Sequence, residues 1–154
     1  SSSAASDVYK RQVEAGWLLC EAARVLEDRQ LMDRANRLAL DVTDACLVEG
    51  LSDKGYMMYE KKGGRTTGHA SWWGQIETMI ACVNAWQISG NDVYLQSADT
   101  VWTFVKDCMI DREYGEWYSD CFDGEPKKDT PKVSMWRCPY HTVRLGVEIH
   151  NRLK

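Results

Sequence analysis

The spacing of apolar and polar residues divides the chain into helical segments. From Val13 onward, apolar positions recur at intervals of three and four residues, which predicts a first helix. Its apolar positions are Leu18, Ala22, Val25 and Leu26. A second amphipathic segment covers about residues 31–48, with Leu38, Val42, Ala45 and Cys46 on one side. In both segments the pattern predicts that these residues face the core.

Three further helices are predicted beyond residue 70. Ser71 is suited to cap a helix over residues 71–89, and the turn Gly90-Asn91-Asp92 ends it. Another helix spans about residues 93–110. Pro139 suits the first position of a last helix, which reaches about residue 153.

The connections between these helices are long and polar. Residues 61–68 form a Gly-rich loop. Within residues 113–126, Trp117 alternates with Ser119 and Cys121, and Asp123-Gly124 is a turn signal, so this segment is predicted to be a small β-hairpin. The predicted fold class is therefore all-α, with about five helices in antiparallel-looking pairs and a hairpin in one loop. Functional residues tend to lie on such loops.

The composition is that of a folded single domain rich in tryptophan. Apolar residues make up 44% of the 154 positions, which is enough to bury a core. The net charge of -4 argues against a nucleic-acid partner, and the longest uncharged run, residues 78–91, is too short and polar to be a membrane span. The 7 tryptophans either stack on sugar C–H faces or fill the core.

The six cysteines do not form a metal-binding pattern. They lie at least thirteen residues apart, at positions 20, 46, 82, 108, 121 and 138. That spacing contains no CxxC pair and no zinc knuckle, so no metal is predicted. We interpret them as reduced, mostly buried thiols of a cytoplasmic protein.

The first twelve residues differ from the rest. SSSAASDVYKRQ is Ser/Ala-rich and then abruptly basic, and it resembles a translated sequencing-adapter scar. We interpret residues 1–12 as a non-native leader that packs poorly, with apolar contacts at Val8 and Tyr9 at most, and residues 13–154 as the native part of a longer protein.

The helix after Ser71 carries the first candidate site. Trp72, Ile76, Met79, Val83 and Trp86 share one face, which is the pattern of a packed core. Trp73 and Glu77 lie one turn apart on the neighbouring face, and an aromatic ring beside a carboxylate is a pairing that sugar sites use. The alternative is a half-exposed helix face without function.

The second candidate lies at the start of the last helix. Pro139 puts His141 in the first helical turn, where the helix dipole disfavours an imidazolium and leaves a neutral base. Arg144, one turn on, is suited to orient an anion or a hydroxyl. The alternative is a histidine that caps or packs. His69 and His150 are interpreted as ordinary surface residues, and Glu14 as an ordinary first-turn acid.

Four segments together resemble the N-acylglucosamine 2-epimerase family, most closely its cellobiose 2-epimerase branch. They are VEAGWLLCEAA, SWWGQIE, GEWYSDCFDGEP and MWRCPYHTVR, in the family's order and at about its spacing. The resemblance implies the C-terminal part of an (α/α)6 barrel of twelve helices. It also implies a cofactor-free reaction, in which a histidine removes the C2 proton of an opened sugar and a second group returns it through an enediolate.

The resemblance also assigns roles to individual residues. His141 matches the family's C-terminal catalytic histidine, and Glu14 matches the glutamate of its G-H-x-x-E motif. Trp73 matches a sugar-stacking tryptophan, with Trp72 as the alternative. Glu77 matches the acidic residue of the same family motif. Trp136 matches a second tryptophan that stacks on the sugar. These residues are expected to converge on one concave surface.

One departure from the family pattern bears on activity. The histidine of the G-H-x-x-E motif belongs at position 11, where this chain has arginine within the leader. This 154-residue chain is therefore predicted to be inactive, with apolar surfaces left exposed. Two alternatives stay open: an aldose–ketose isomerase on the same barrel, and a non-catalytic carbohydrate- or protein-binding module. The expected ligand is a small sugar, and a homo-oligomer is left open.

Overall fold

The structure, a computed structural model, describes residues 6–7, 9–62 and 64–154. Five α-helices make up most of it, and the remaining elements are short strands. The helices are α1 (Tyr9–Val25), α2 (Arg29–Gly50), α3 (Trp72–Ser89), α4 (Val93–Phe104) and α5 (Tyr140–Arg152). The strands are β1 (Ser6–Asp7), β2 (Lys61–Lys62), β3 (Arg65–Thr66), β4 (His69–Ser71), β5 (Asp120–Phe122) and β6 (Glu125–Pro126).

Helix α3 is the central element of the fold. It packs against α1, α2, α4 and α5, and every residue from 74 to 85 is buried. The prediction of its ends is confirmed: the Ser71 hydroxyl accepts a hydrogen bond from the Gly74 amide, and Gly90 ends the helix with φ +71°. A helix buried on all sides excludes the half-exposed face that the sequence left open.

The predicted core face of α1 is wrong, and that of α2 is right only at Cys46, which is buried, and Val42, which packs against the core. Leu18, Val25 and Leu26 are 40%, 81% and 66% exposed, and Leu38 on α2 is 46% exposed. Ala22 and Ala45 are exposed as well. The buried stripes lie one or two positions away, at Val13, Gly16, Trp17, Cys20 and Ala23 on α1 and at Ala35, Ala39, Thr43, Cys46 and Gly50 on α2. Small residues in these stripes let the two helices approach closely, so the large leucines point outward.

The start of α1 lies within residues 1–12 and is packed more tightly than expected, since Lys10 is buried as well as Tyr9. Tyr9 is 2% exposed and Lys10 is 6% exposed, and Tyr9 belongs to the main core. Gly50 leaves room for the Tyr9 ring, since a Cβ at Gly50 would lie 2.9 Å from Tyr9 Cγ. Residues 1–5 and 8 lie outside the described residues. The boundary between a leader and a native part at residue 13 stays a prediction.

The predicted hairpin is present but smaller than expected. Strands β5 and β6 pair around the Asp123-Gly124 turn, and β4 adds a third antiparallel strand. Residues 61–68, predicted as a loop, contain the pair β2–β3, with β1 beside β2. Short strands formed mostly by polar residues carry little hydrophobic signal, which explains why they were missed.

Two smaller features complete the description. Helix α4 continues into a π-helical turn, Val105–Met109, so helical backbone ends near the predicted residue 110. Four of the six cysteines are buried, as the sequence predicted, and no disulfide joins any of them in the described part of the chain. Among the described residues, none of the helices combines the length and the apolar character needed to cross a bilayer.

Gln75 attaches the loop after α2 to α3. Its side chain is fully buried, and it accepts a hydrogen bond from the Met57 amide and donates one to the Met57 carbonyl, both at 2.8 Å. The side-chain amide of Gln75 thus makes the same pair of hydrogen bonds with the Met57 backbone that a neighbouring β-strand would make. Beyond β2 and β3 the chain reaches β4, whose last residue, Ser71, caps α3.

Replacing Gln75 with leucine is expected to destabilise the protein strongly. Gln75→Leu leaves the Met57 amide and carbonyl buried and unpaired, which costs about 1–3 kcal/mol for each group. Urea unfolding followed by circular dichroism measures the loss. The matched control is Gln96→Leu, because Gln96 is exposed on α4. Equal stability of the two variants would contradict the role given to Gln75.

Candidate functional site

Three helices bring the candidate side chains together at one place. Glu14 comes from α1, Glu77 from α3, and His141 and Arg144 from the first turns of α5. Pro139 occupies the cap position of α5, so His141 lies in its first turn, as predicted. The ligating atoms of Glu14, Glu77 and His141 all lie within 4.8 Å of one another.

Glu77 is the centre of the cluster and is 0% exposed. One carboxylate oxygen, Oε2, accepts a hydrogen bond of 2.9 Å from the Trp17 indole. The other, Oε1, lies 3.0 Å from Nδ1 of His141 and pairs with the guanidinium of Arg144. A buried carboxylate is tolerated only with such partners, because losing water costs several kcal/mol per ion.

Counting hydrogen atoms assigns the tautomer of His141. Nη2 of Arg144 has two hydrogens, and it bonds both Oε1 of Glu77 and Oε1 of Glu14, the latter at 2.8 Å. No hydrogen remains for Nδ1 of His141, although that nitrogen lies 3.1 Å away. Nδ1 therefore carries its own hydrogen and donates it to Glu77. Nε2 is then unprotonated in the neutral ring, which is the state a base requires.

Arg144 is the cation of the cluster. Burial acts to lower its pKa, but the hydrogen bonds to Glu14 and Glu77 outweigh that effect and raise the pKa above the ordinary value. Its guanidinium also lies over the rings of Trp17 and Tyr140, at 5.1 and 4.8 Å. Glu14, Glu77 and His141 have ligand types that suit a metal, but Arg144 already supplies a positive charge among them.

Aromatic rings surround the imidazole. The Trp73 ring lies 5.1 Å from the His141 ring and the Trp72 ring 6.4 Å, measured between centroids, and Tyr140 meets its edge at 5.1 Å. Within the described part of the chain, the buried indole N–H groups of Trp72 and Trp73 have no hydrogen-bond partner. Buried donors beside a base are available to oxygen atoms of a bound ligand.

Arg137 supports this aromatic wall and was not singled out from the sequence. It is 5% exposed, donates to the Trp117 carbonyl at 2.6 Å and lies over the Trp72 ring at 4.7 Å. Burial lowers its pKa, and the neighbouring Glu116 and Asp120 oppose that effect. The only sequence signal was its place in MWRCPYHTVR, beside the better marked His141.

The structure does not bring every candidate into the cluster. Trp136 is 86% exposed, and none of the ring contacts found among the described residues involves it. His150 is exposed, as predicted, and Arg11 is exposed as well. His69 differs from the prediction: it is half-buried, bonds Asp120 at 2.6 Å and stacks on Tyr59 and Phe122.

Trp17 is the contributor that sequence reasoning missed. It is 2% exposed and supplies the third donor to the Glu77 carboxylate. It lies three residues after Glu14, which places both side chains on one face of α1. That spacing was the available signal, but the predicted apolar face of α1 was the one that contains Leu18, Ala22, Val25 and Leu26.

Comparison with known proteins places this arrangement in a family. The family model for N-acylglucosamine 2-epimerase (GlcNAc 2-epimerase) matches residues 11–144. A cellobiose 2-epimerase from Bacteroides fragilis is 38% identical over 146 residues, which cover 92% of this chain and 36% of that protein. A D-mannose isomerase from Marinomonas mediterranea is 26% identical over 99 residues, which cover 58% of this chain and 25% of that protein.

The fold agrees with these sequence matches. The crystal structure of a sugar epimerase from a ruminal bacterium superimposes with a TM-score of 0.91 and 32% identity, covering 97% of this chain and 39% of that one. The predicted fold class is confirmed, and the five helices are part of an (α/α)6 barrel. The chain thus spans well under half the length of these relatives. Since the family model covers both Glu14 and the His141–Arg144 turn, the chain belongs to the N-acylglucosamine 2-epimerase family.

Proposed function

We propose that this chain is the C-terminal part of a carbohydrate 2-epimerase that acts on the reducing-end glucose of a disaccharide such as cellobiose, or on an N-acylglucosamine. The observation that carries the proposal is the hydrogen bond between His141 Nδ1 and the fully buried Glu77. It fixes the tautomer in which Nε2 accepts a proton. The similarity to cellobiose 2-epimerases supports the substrate class.

In the proposed reaction, His141 begins the chemistry on the opened sugar. Nε2 takes the proton from C2, the C–H electrons form the C1=C2 bond, and O1 takes up the negative charge of an enediolate. With Glu14 and Glu77 ionised and Arg144 protonated, the cluster has one excess negative charge. Proton uptake by His141 cancels that charge, which favours the step in a site with little water.

Completing an epimerisation requires a second proton donor on the other face of C2. The family resemblance assigns that role to the histidine of the G-H-x-x-E motif, whose glutamate is Glu14. Position 11 of this chain is an exposed arginine, which stays protonated at neutral pH and cannot exchange roles between acid and base. We therefore propose that the chain is inactive as it stands.

Two sets of groups are proposed to bind the sugar. Trp73, with Trp72 beside it, offers a ring face and unpartnered indole N–H groups next to His141. Trp136 is proposed as a second stacking ring, which would close over a sugar held between α5 and the part of the barrel outside this chain. Arg144 acts by holding the two carboxylates and meets the sugar only indirectly.

An aldose–ketose isomerase is the second candidate. The similarity to a D-mannose isomerase favours it, because the same base can start both reactions. The two differ in where the proton returns: to C2 in an epimerase and to C1 in an isomerase. The product is therefore the discriminating measurement.

A chimera tests the proposal. The upstream part of the Bacteroides fragilis cellobiose 2-epimerase is joined to residues 13–154, so that the family's histidine occupies position 11. We expect the chimera to convert cellobiose to its mannose-ended epimer and the present chain to give none. Placing arginine at position 11 of the chimera should lower the rate on the order of 10²–10⁴-fold.

Chromatography of the products, beside a folding check by circular dichroism, separates the outcomes. A ketose product from the folded chimera would establish the isomerase instead. Binding of cellobiose without any conversion would favour the non-catalytic module. Turnover by the present chain at the rate of the chimera would contradict both the assignment of position 11 and the two-base mechanism.

Glu77→Gln in the chimera is expected to abolish most of the activity. The glutamine keeps the size of the side chain but removes the charge that pairs with Arg144 and orients His141. We expect kcat to fall on the order of 10²-fold or more, since the base loses its orientation. Initial-rate measurements give kcat and KM, and Glu125→Gln, at an exposed acid, is the control. An unchanged kcat would remove Glu77 from the mechanism.

A further inference from the structure

Helix α5 carries a polar stripe towards α1 and α3, beside the apolar residues Leu145 and Ile149 that pack on the main core. His141, Arg144, Glu148 and Arg152 follow one another at intervals of three and four residues, and each makes an ion pair or a charged hydrogen bond. The two arginines lie eight residues apart, about two helical turns. The first belongs to the candidate site, and the second, Arg152, lies at the end of the helix.

Arg152 is a second arginine buried between the same three helices. Its side chain is 5% exposed. It donates to Asn84 at 3.0 Å and to Gln87 at 2.8 Å on α3, and it pairs with Glu21 on α1. The Arg152 carbonyl accepts a further hydrogen bond from Gln87, at 2.9 Å.

The contacts of Arg152 repeat those of Arg144 along the helices. On α1, Glu21 lies seven residues after Glu14, and on α3, Asn84 lies seven residues after Glu77. Both guanidinium groups lie over the Trp17 ring, at 5.1 Å for Arg144 and 5.8 Å for Arg152. Each arginine thus joins α5 to α1 and α3 at its own level, with Trp17 between the two levels.

We infer that Arg152 is a positioning residue for His141, an inference that rests on the proposed role of His141 as the base. The apolar contacts of Leu145 and Ile149 with the core are not directional, so a single polar connection near the start of α5 leaves the rotation of the helix less defined. Two polar connections fix that rotation. The distance between Nδ1 of His141 and Glu77 depends on that rotation. Arg152 therefore keeps the base in its Nδ1–H tautomer from more than two turns away.

Nitrogen NMR of the histidine rings tests the inference without any substrate. In the present chain, ¹⁵N shifts distinguish Nδ1–H from Nε2–H imidazole, and His141→Asn identifies the signals among only three histidines. We expect His141 to be Nδ1–H in the parent chain. Arg152→Ala should shift it towards Nε2–H, and Arg152→Lys should restore part of the Nδ1–H form, because lysine keeps the pairing with Glu21.

Val101→Ala is the control for loss of stability alone. Val101 is 0% exposed on α4, and its truncation weakens the core without touching either arginine. An unchanged His141 signal in Arg152→Ala, or an equal shift in Val101→Ala, would overturn the inference. If Arg152→Ala does not fold, Arg152→Met serves as the test, because it keeps a long side chain but removes the charge, and a parent-like signal there overturns the inference. The NMR measurement needs no turnover, so its result does not depend on whether the proposed epimerase activity is correct.

Discussion

The burial of one carboxylate, that of Glu77, governs the arrangement of the helices around it. A charge without access to water needs several donors, and one helix cannot supply them all. Here Trp17 donates from α1, and His141 and Arg144 donate from α5. The position of the carboxylate therefore determines where both helices lie on α3. The same constraint gives His141 a defined orientation, which packing of apolar side chains alone would not provide.

Side chains of the segment SWWGQIE point to two different sides of α3. Trp73 and Glu77, four residues apart, face the site, whereas Gln75 binds the backbone of the loop at Met57. Residues two apart on a helix point in different directions, so one short motif serves both chemistry and architecture. The fully buried Gln75 is thus a structural element, although its neighbours Trp73 and Glu77 belong to the candidate site.

The sequence predicted local features well and long-range ones poorly. The ends of α3 follow from Ser71 and Gly90, which act on adjacent backbone, and both were found. The faces of α1 were misjudged, because large leucines outweigh small buried residues in an apolar pattern, whereas the structure leaves those leucines exposed. The resemblance to a family located Glu77 and His141. It gave no sign of Trp17 or Arg152, whose partners on other helices lie sixty or more positions away in the chain.

The placement of the cysteines has a practical consequence for studying α5. Burial raises the pKa of Cys82 and Cys121 to about 12, and it raises the pKa of Cys20 and Cys108 as well, which keeps these thiols unreactive. Cys138 is the exposed thiol, one residue before Pro139 at the entry to α5. A maleimide dye would attach there preferentially. The native sequence thus provides a fluorescent reporter three residues from the proposed base, without an engineered cysteine.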